Sequence, residues 1–219
     1  MKSENVSPLS AQTETAENSI DIEAKTAQDM REIGQSIAKS VRSADIIVLS
    51  GSLGAGKTSF AQGFGKGLNI SEPVVSPTFT IARELKGKFD DGTDVNLVHV
   101  DAYRLPGSDN NASLASDSRT AMSVIMDELE SLGLDEQIES PSENTVVLLE
   151  WASVMASVLS DERLEITIDR TVRSSQTNDR REFAQLTSEG SRLLKIKPVG
   201  RNWSERMPQL CQSLAKWRK

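Results

Sequence analysis

Gly51-Ser-Leu-Gly-Ala-Gly-Lys57-Thr58 follows an apolar run, Ile46 to Leu49, and opens a segment with helical character from Lys57 to about Leu68. The stretch fits G-x-x-x-x-G-K-[ST] without a mismatch. From average residue frequencies, a chain of this length would match by accident on the order of one time in a hundred. The setting lowers that chance, because a buried strand that ends in glycines and runs into a helix is what phosphate binding needs. The glycines let backbone N–H groups turn toward phosphate oxygens, and the helix N-terminus adds partial positive charge. Lys57 is then placed to reach the β- and γ-phosphates of ATP. Thr58 can offer its hydroxyl to Mg²⁺, which bridges phosphate oxygens and offsets charge developing during transfer. The competing reading is a glycine-rich turn of purely structural use.

Upstream, Thr26 is a candidate N-cap for an amphipathic helix in which Met30, Ile33, Ile37 and Val41 recur at spacings of three and four, ending near Arg42. Ile46 to Leu49 is mainly β-branched and reads as a parallel strand buried on both faces. Gly63, Gly65 and Gly67 each weaken the following helix by about 1 kcal/mol relative to Ala, so close packing, most simply on the sheet, is expected to require their size. Phe79 to Lys86 alternates as a half-exposed strand, and Asp90-Asp91-Gly92 turns it back into Val95 to Val100, a buried strand ending at Asp101. Residues 106–120 form a polar, exposed loop, and 121–132 look helical. Val146 to Leu149 is a second fully apolar run, ending at Glu150. Leu164-Ile166-Ile168 and Phe183 to Leu186 suggest strands of mixed exposure, read as antiparallel additions at one edge.

This pattern predicts an α/β chain: a three-layer P-loop NTPase fold with a mostly parallel central sheet and antiparallel additions at one edge. The chain divides into a disordered polar tail (1–20), a P-loop ATPase domain (21–198, with the 106–120 loop as an exposed insertion) and a basic amphipathic C-terminal helix (199–219). In that last segment Met207, Leu210, Cys211, Leu214 and Trp217 make one apolar stripe among seven Lys and Arg residues from Lys195 onward.

The 219 residues suit one domain with a full core. A net charge of −7 argues against wholesale wrapping of nucleic acid, which is driven by Lys and Arg releasing counterions. Cys211 is the only cysteine and His99 the only histidine, which excludes an intrachain disulfide, a cysteine zinc site and any multi-histidine metal site. No apolar run approaches the roughly 20 residues that span a bilayer, and MKSENVSPLSAQTETAENS lacks the apolar core of a secretory signal. The expected location is the cytoplasm, with no membrane partner.

In open α/β sheets ligands sit at the carboxyl ends of strands, where Asp101 and Glu150 both fall. Either acid could hold Mg²⁺, directly or through water, or be an ordinary solvated strand end. The loop Ser76-Pro77-Thr78-Phe79-Thr80 reads as a hydroxyl-rich switch beside the phosphates or as a plain turn. His99, inside a buried strand, reads as a core histidine.

Five segments in order, SGSLGAGKTSFAQGFGKGL, VVSPTFTI, HVDAYRL, ELESLGLDE and LLEW, resemble the TsaE (YjeE) family, the P-loop ATPases of bacterial tRNA threonylcarbamoyladenosine biosynthesis, over roughly residues 25–195. The resemblance implies that Gly54, Ala55, Gly56, Lys57, Thr58 and Ser59 contact the ATP phosphates. Thr58 and Glu150 would bind Mg²⁺, Asp101 would orient attacking water near the γ-phosphate, and Lys57, Asp101 and Glu150 would be the catalytic set. Thr78 and Thr80 would lie in the switch loop, Arg181 would approach the nucleotide, and Thr26 and Ala27 would contact the adenine side. It also implies partners: TsaD-like and TsaB-like proteins, with tRNA reached through their complex rather than directly, and hydrolysis that resets the complex instead of transferring the group. The chain departs from the family in its longer 106–120 loop, in Ala152 where Pro or Gly commonly follows Glu-Trp, and in its two tails.

Two other classes fit the same motif. A P-loop small-molecule kinase needs an acceptor pocket and an arginine-rich lid, for which 106–120 offers only Arg119. A nucleotide-dependent binding switch with negligible turnover would signal by occupancy.

Overall fold

The computed structural model describes residues 19–104, 123, 127, 129–131, 133–139, 141–150, 160–170 and 190–219. In chain order these form β1 (Ile20–Ala24), α1 (Ala27–Ala38), β2 (Ile46–Gly51), α2 (Lys57–Gly67), β3 (Ala82–Lys88), β4 (Asp94–Asp101), α3 (Asp135–Glu139), β5 (Thr145–Glu150), β6 (Arg163–Arg170), β7 (Arg192–Val199) and α4 (Arg201–Ser213). Two 3₁₀ turns, Ala102–Arg104 and Ala215–Trp217, follow β4 and α4.

The strands make one seven-stranded sheet in the order β1-β7-β6-β2-β5-β4-β3. Its centre, β6-β2-β5-β4, is parallel. β7 and β1 continue it antiparallel on one side and β3 on the other. The fold is therefore the expected mostly parallel α/β sheet. Leu164, Ile166 and Ile168 belong to β6, a parallel neighbour of β2, so the antiparallel strands flank the parallel centre on both sides instead of gathering at one edge.

The apolar runs behave as strands buried on both faces. Ile47, Leu49, Leu97, Leu148 and Ile166 face α1, α2 and α4, whereas Ile46, Val48, Val98, Val147 and Leu149 form a second cluster with Leu129 and Leu134. Among the described residues of 121–132, positions 123, 127 and 129–131 are helical.

α1 starts at the expected cap. The Thr26 side chain accepts from the Asp29 N–H and the Asp29 carboxylate accepts from the Thr26 N–H, a reciprocal box that satisfies two otherwise unpaired amides. The helix stops at Ala38, short of Arg42. On α2 the small residues serve α1 more than the sheet. A Cβ at Gly63 would overlap the backbone of Arg31, and one at Gly67 would meet Ala38 and Gln35; only Gly65 faces elsewhere, onto Val74. The two helices consequently pack backbone against backbone.

Ile20 opens β1, with Ile20, Ile22 and Ala24 buried, so the polar tail ends before it; an IDIEA run is too short to stand out from its polar surroundings. β3 begins at Ala82, because a turn closed by Thr80 N–H to Pro77 O (2.9 Å) occupies the preceding residues and leaves Phe79 87% exposed. Trp203 joins the apolar stripe of α4, whose Met207 and Leu210, with Leu214 and Trp217 beyond it, are buried in the main core. Of the basic residues around that helix, Arg206 forms a buried two-pronged pair with Asp45 (2.7 Å on each prong), while Arg201 pairs with Glu205, Lys216 with Glu32 and Lys197 with Glu165 at the surface. The loop at 106–120, the tail at 1–18 and the strand expected at Phe183 to Leu186 lie outside the described residues. No helix among the described residues is long and apolar enough to cross a membrane.

Candidate functional site

A cleft of about 430 Å³ opens at the carboxyl ends of β2, β4 and β5. Its floor is the loop between β2 and α2. Gly54 (φ 74°) and Gly56 (φ 110°) hold backbone conformations that side-chain-bearing residues rarely adopt, and Gly56, as the N-cap of α2, brings no side chain to satisfy the first amides of the helix. Those amides and the helix dipole therefore face the cleft, an arrangement suited to an anion. Lys57 is 5% exposed, and its Nζ donates to Gly51 O (2.8 Å) and Ser52 O (3.3 Å). Gly54, Ala55, Gly56, Lys57, Thr58 and Ser59 all line the cleft.

Asp101 and Glu150 are register partners at the tips of β4 and β5. Strand alternation turns both toward the α2 side of the sheet, and they are 1% and 2% exposed. Carboxylates this deep require compensation. Asp101 finds it in the loop before β3: its Oδ2 accepts from Ser76 Oγ (2.5 Å) and Thr78 Oγ1 (2.6 Å), and its Oδ1 from the Tyr103 N–H (3.0 Å). Its own N–H donates to Ile81 O (2.8 Å). Ile81 has φ 64°, and the Ala82 N–H donates across it to Thr80 O (2.7 Å), a γ-turn unfavourable for a β-branched side chain. The acid thus clamps both ends of a strained loop. Ser76 and Thr78 reach the cleft, while Thr80 does not line it and instead donates to Pro77 O at 3.5 Å.

Glu150 is held by His99, whose Nε2 lies 2.9 Å from Oε1. With Glu150 ionised, Nε2 is the donor. Nδ1 is buried without a hydrogen-bond partner among the described residues, so the carboxylate supplies the hydrogen bond that orients the ring. The core histidine of the sequence reading is part of the site.

At the other end, Thr26, Ala27 and Met30 of α1 form the wall, with Met30 against Gly56. Arg181 lies outside the described residues. A different arginine is present: Arg192, at the start of β7, lines the cleft and donates to Ala55 O (3.3 Å), to Gly54 O (3.5 Å) and to Gly190 O. Burial, and after it the positive charge of Arg170, push its guanidinium below the ordinary arginine value. Its signal in the sequence is the alternation Arg192, Leu194, Ile196, in which a charge occupies a buried-face position.

A sheet with a parallel centre whose strand β2 runs from Gly51 through a glycine loop into a helix at Lys57, with two buried acids beside that loop, is a P-loop α/β fold. The family model for "Threonylcarbamoyl adenosine biosynthesis protein TsaE" matches residues 24–181, and the chain belongs to the TsaE family. It is 38% identical over 163 residues to the tRNA threonylcarbamoyladenosine biosynthesis protein TsaE of Streptomyces coelicolor, covering 74% of this chain and 93% of that one. Against the TsaE protein of Bacillus subtilis it is 36% identical over 143 residues, covering 65% and 73%. The crystal structure of Bacillus subtilis YdiB superposes with a TM-score of 0.56 at 27% identity, over 90% of this chain and 95% of that one.

Proposed function

We propose that this chain is the Mg²⁺-dependent ATPase of tRNA N6-threonylcarbamoyladenosine biosynthesis, working with TsaD-like and TsaB-like proteins and resetting their complex without itself transferring the group. The observation that carries the reading is the convergence of Lys57, Thr58, Asp101 and Glu150 on one cleft beside a helix N-terminus. In this reading the α2 amides and Lys57 bind the phosphates, with Lys57 exchanging its hold on Gly51 O and Ser52 O for phosphate oxygens. Arg192 adds a second cation on the same loop.

The donor set suits magnesium: a threonine hydroxyl and a buried carboxylate make an all-oxygen pair that leaves room for the waters this ion keeps. Thr58 and Glu150 would hold it, and when bound it offsets charge on the phosphate oxygens. Asp101 accepts a hydrogen bond from the attacking water and so orients it. Ser76 and Thr78 cover one of its two oxygens, so release of the loop would free that oxygen for the water. A chain that waits for a partner to move the loop would turn over slowly alone, which also keeps open an occupancy switch of very low turnover.

The test is steady-state ATP hydrolysis by the chain alone and with the TsaB and TsaD proteins of the same organism, with Lys57→Ala as control. A rise that needs both partners and Lys57 is expected. A rate indifferent to the partners would overturn the role in the complex, and hydrolysis indifferent to Lys57 would overturn the site.

A further inference from the structure

We propose that the C-terminal segment is a brace for the nucleotide cleft, in which Trp217, acting through Asp29, positions the first turn of α1 that forms the wall at Thr26, Ala27 and Met30. The inference rests on the nucleotide-binding reading above. Trp217 and its neighbours lie outside the stretch that the family model matches, 24–181, whereas Asp29 and the α1 wall lie within it.

Asp29 is the hub. Its Oδ2 accepts from the Thr26 N–H (3.0 Å), the Thr26 hydroxyl (2.9 Å) and the Lys25 N–H (3.1 Å), while its own N–H donates to Thr26 Oγ1 (3.0 Å). Its other oxygen, Oδ1, accepts from the Trp217 indole Nε1–H at 3.2 Å. The carboxylate is therefore held from both sides, one oxygen by the chain entering α1 and the other by the 3₁₀ turn Ala215–Trp217. Burial pushes the Asp29 carboxyl up, and the bonds from Thr26, Trp217 and Lys25 more than offset it, leaving it below the ordinary value and charged at neutral pH.

Trp217 is itself fixed. It is 7% exposed, Lys216 Nζ lies 3.9 Å over its ring while pairing with Glu32 at 2.6 Å, and the next residue, Arg218, bridges to Ile22 of β1. The segment is thus tied to β1 and to α1 on either side of the turn that leads into Thr26. From there the line to the site is short. Thr26 and Ala27 line the cleft, and Met30, one residue after Asp29, packs on Gly56 of the phosphate loop. A hydrogen bond at the C-terminus therefore sets where the α1 wall stands relative to the loop. Since that wall is one end of the cleft and the phosphate loop another, the brace should be felt by the nucleoside part of a ligand and not by its phosphates.

The test compares the full chain with Trp217→Phe, which keeps an aromatic ring and loses the N–H. Three quantities are read: the Kd for ATP, the Kd for inorganic tripolyphosphate with Mg²⁺, and hydrogen exchange of the first-turn amides of α1 in nucleotide-free protein. The expected result is ATP weakened about fivefold, the size of one lost hydrogen bond, tripolyphosphate unchanged, and faster exchange at residues 26–30. In the unmodified chain, coupling is reciprocal, so ATP should slow exchange of the Trp217 indole N–H; this arm needs no variant to fold. Equal weakening of ATP and tripolyphosphate, unchanged ATP binding, or an indole N–H indifferent to ATP would each overturn the brace. If the unmodified chain binds neither ligand, the nucleotide-binding reading falls first and takes the brace with it.

Discussion

His99 Nε2 lies 2.9 Å from Glu150 Oε1, and both side chains are shut away from solvent. This pair joins the middle of β4 to the tip of β5 on the face that carries the phosphate loop. A carboxylate that is to share a cation needs a fixed orientation, and a donor behind it supplies that.

Replacing His99 with Phe leaves the Glu150 carboxylate buried without its donor. The expected outcome is a rise of about tenfold or more in the Mg²⁺ concentration that half-saturates ATP binding, in keeping with other residues that support metal ligands. His99→Gln, which retains an N–H, should recover part of it. A Mg²⁺ titration of nucleotide binding checks this; identical curves for the Phe variant and the parent would mean that the pair is only structural.

Asp101→Asn keeps the shape of the carboxylate and removes its charge. Hydrolysis should fall by roughly 10²- to 10⁴-fold, the usual worth of a positioned base, while ATP affinity changes little. Single-turnover hydrolysis together with equilibrium binding separates the two quantities. Loss of binding in parallel with hydrolysis would show instead that Asp101 acts by holding the Ser76–Thr78 loop.

Gly63→Ala should destabilise the fold although alanine favours helices by about 1 kcal/mol. The added methyl would overlap the carbonyl of Arg31, and separating two helices that meet backbone to backbone costs on the order of 1–3 kcal/mol. Urea denaturation measures it. The same substitution at Gly92, where a Cβ meets nothing within 4 Å, is a control that adds only the backbone strain of φ 87°.

Asp29 gives the molecule a pH dependence with a definite sign. Its native carboxyl lies below the ordinary 3.8, because hydrogen bonds from Thr26, Trp217 and Lys25 outweigh burial, which alone would raise it. A depressed native value means stabilisation that is fully present above 3.8 and is lost as pH falls through the native value. Asp29→Asn should therefore cost about 1 kcal/mol at neutral pH, a cap's worth reduced by partial exposure. The difference from the parent should shrink below about pH 4. Denaturant melts of both chains between pH 7 and pH 3 would show it, and a constant gap across that range would contradict it.

What could be read from the sequence was what depends on neighbours in the chain. The phosphate loop is a contiguous turn with glycines where positive φ is required, and it announces both itself and the strand and helix it joins. The Thr26–Asp29 box spans four residues. The apolar runs of β2, β4 and β5 declare strands covered on both faces, and a strand that ends in Asp101 or Glu150 places the acid at the sheet's edge. Tertiary structure alone decided how these pieces meet. Apolar periodicity fixes which face of a strand is buried but carries no information about which strand lies beside it, so β6 settled parallel to β2 and antiparallel pairs closed both sides of the sheet. Gly63 showed that a small residue was needed, and only packing revealed that α1 needed it. The same holds for the pairs that complete the cleft. His99 meets Glu150 across 51 residues, Asp101 meets Ser76 across 25, and Arg192 meets Ala55 across 137. Each requires separate segments to be brought together by burial of the same core, and no local pattern of residues encodes that encounter.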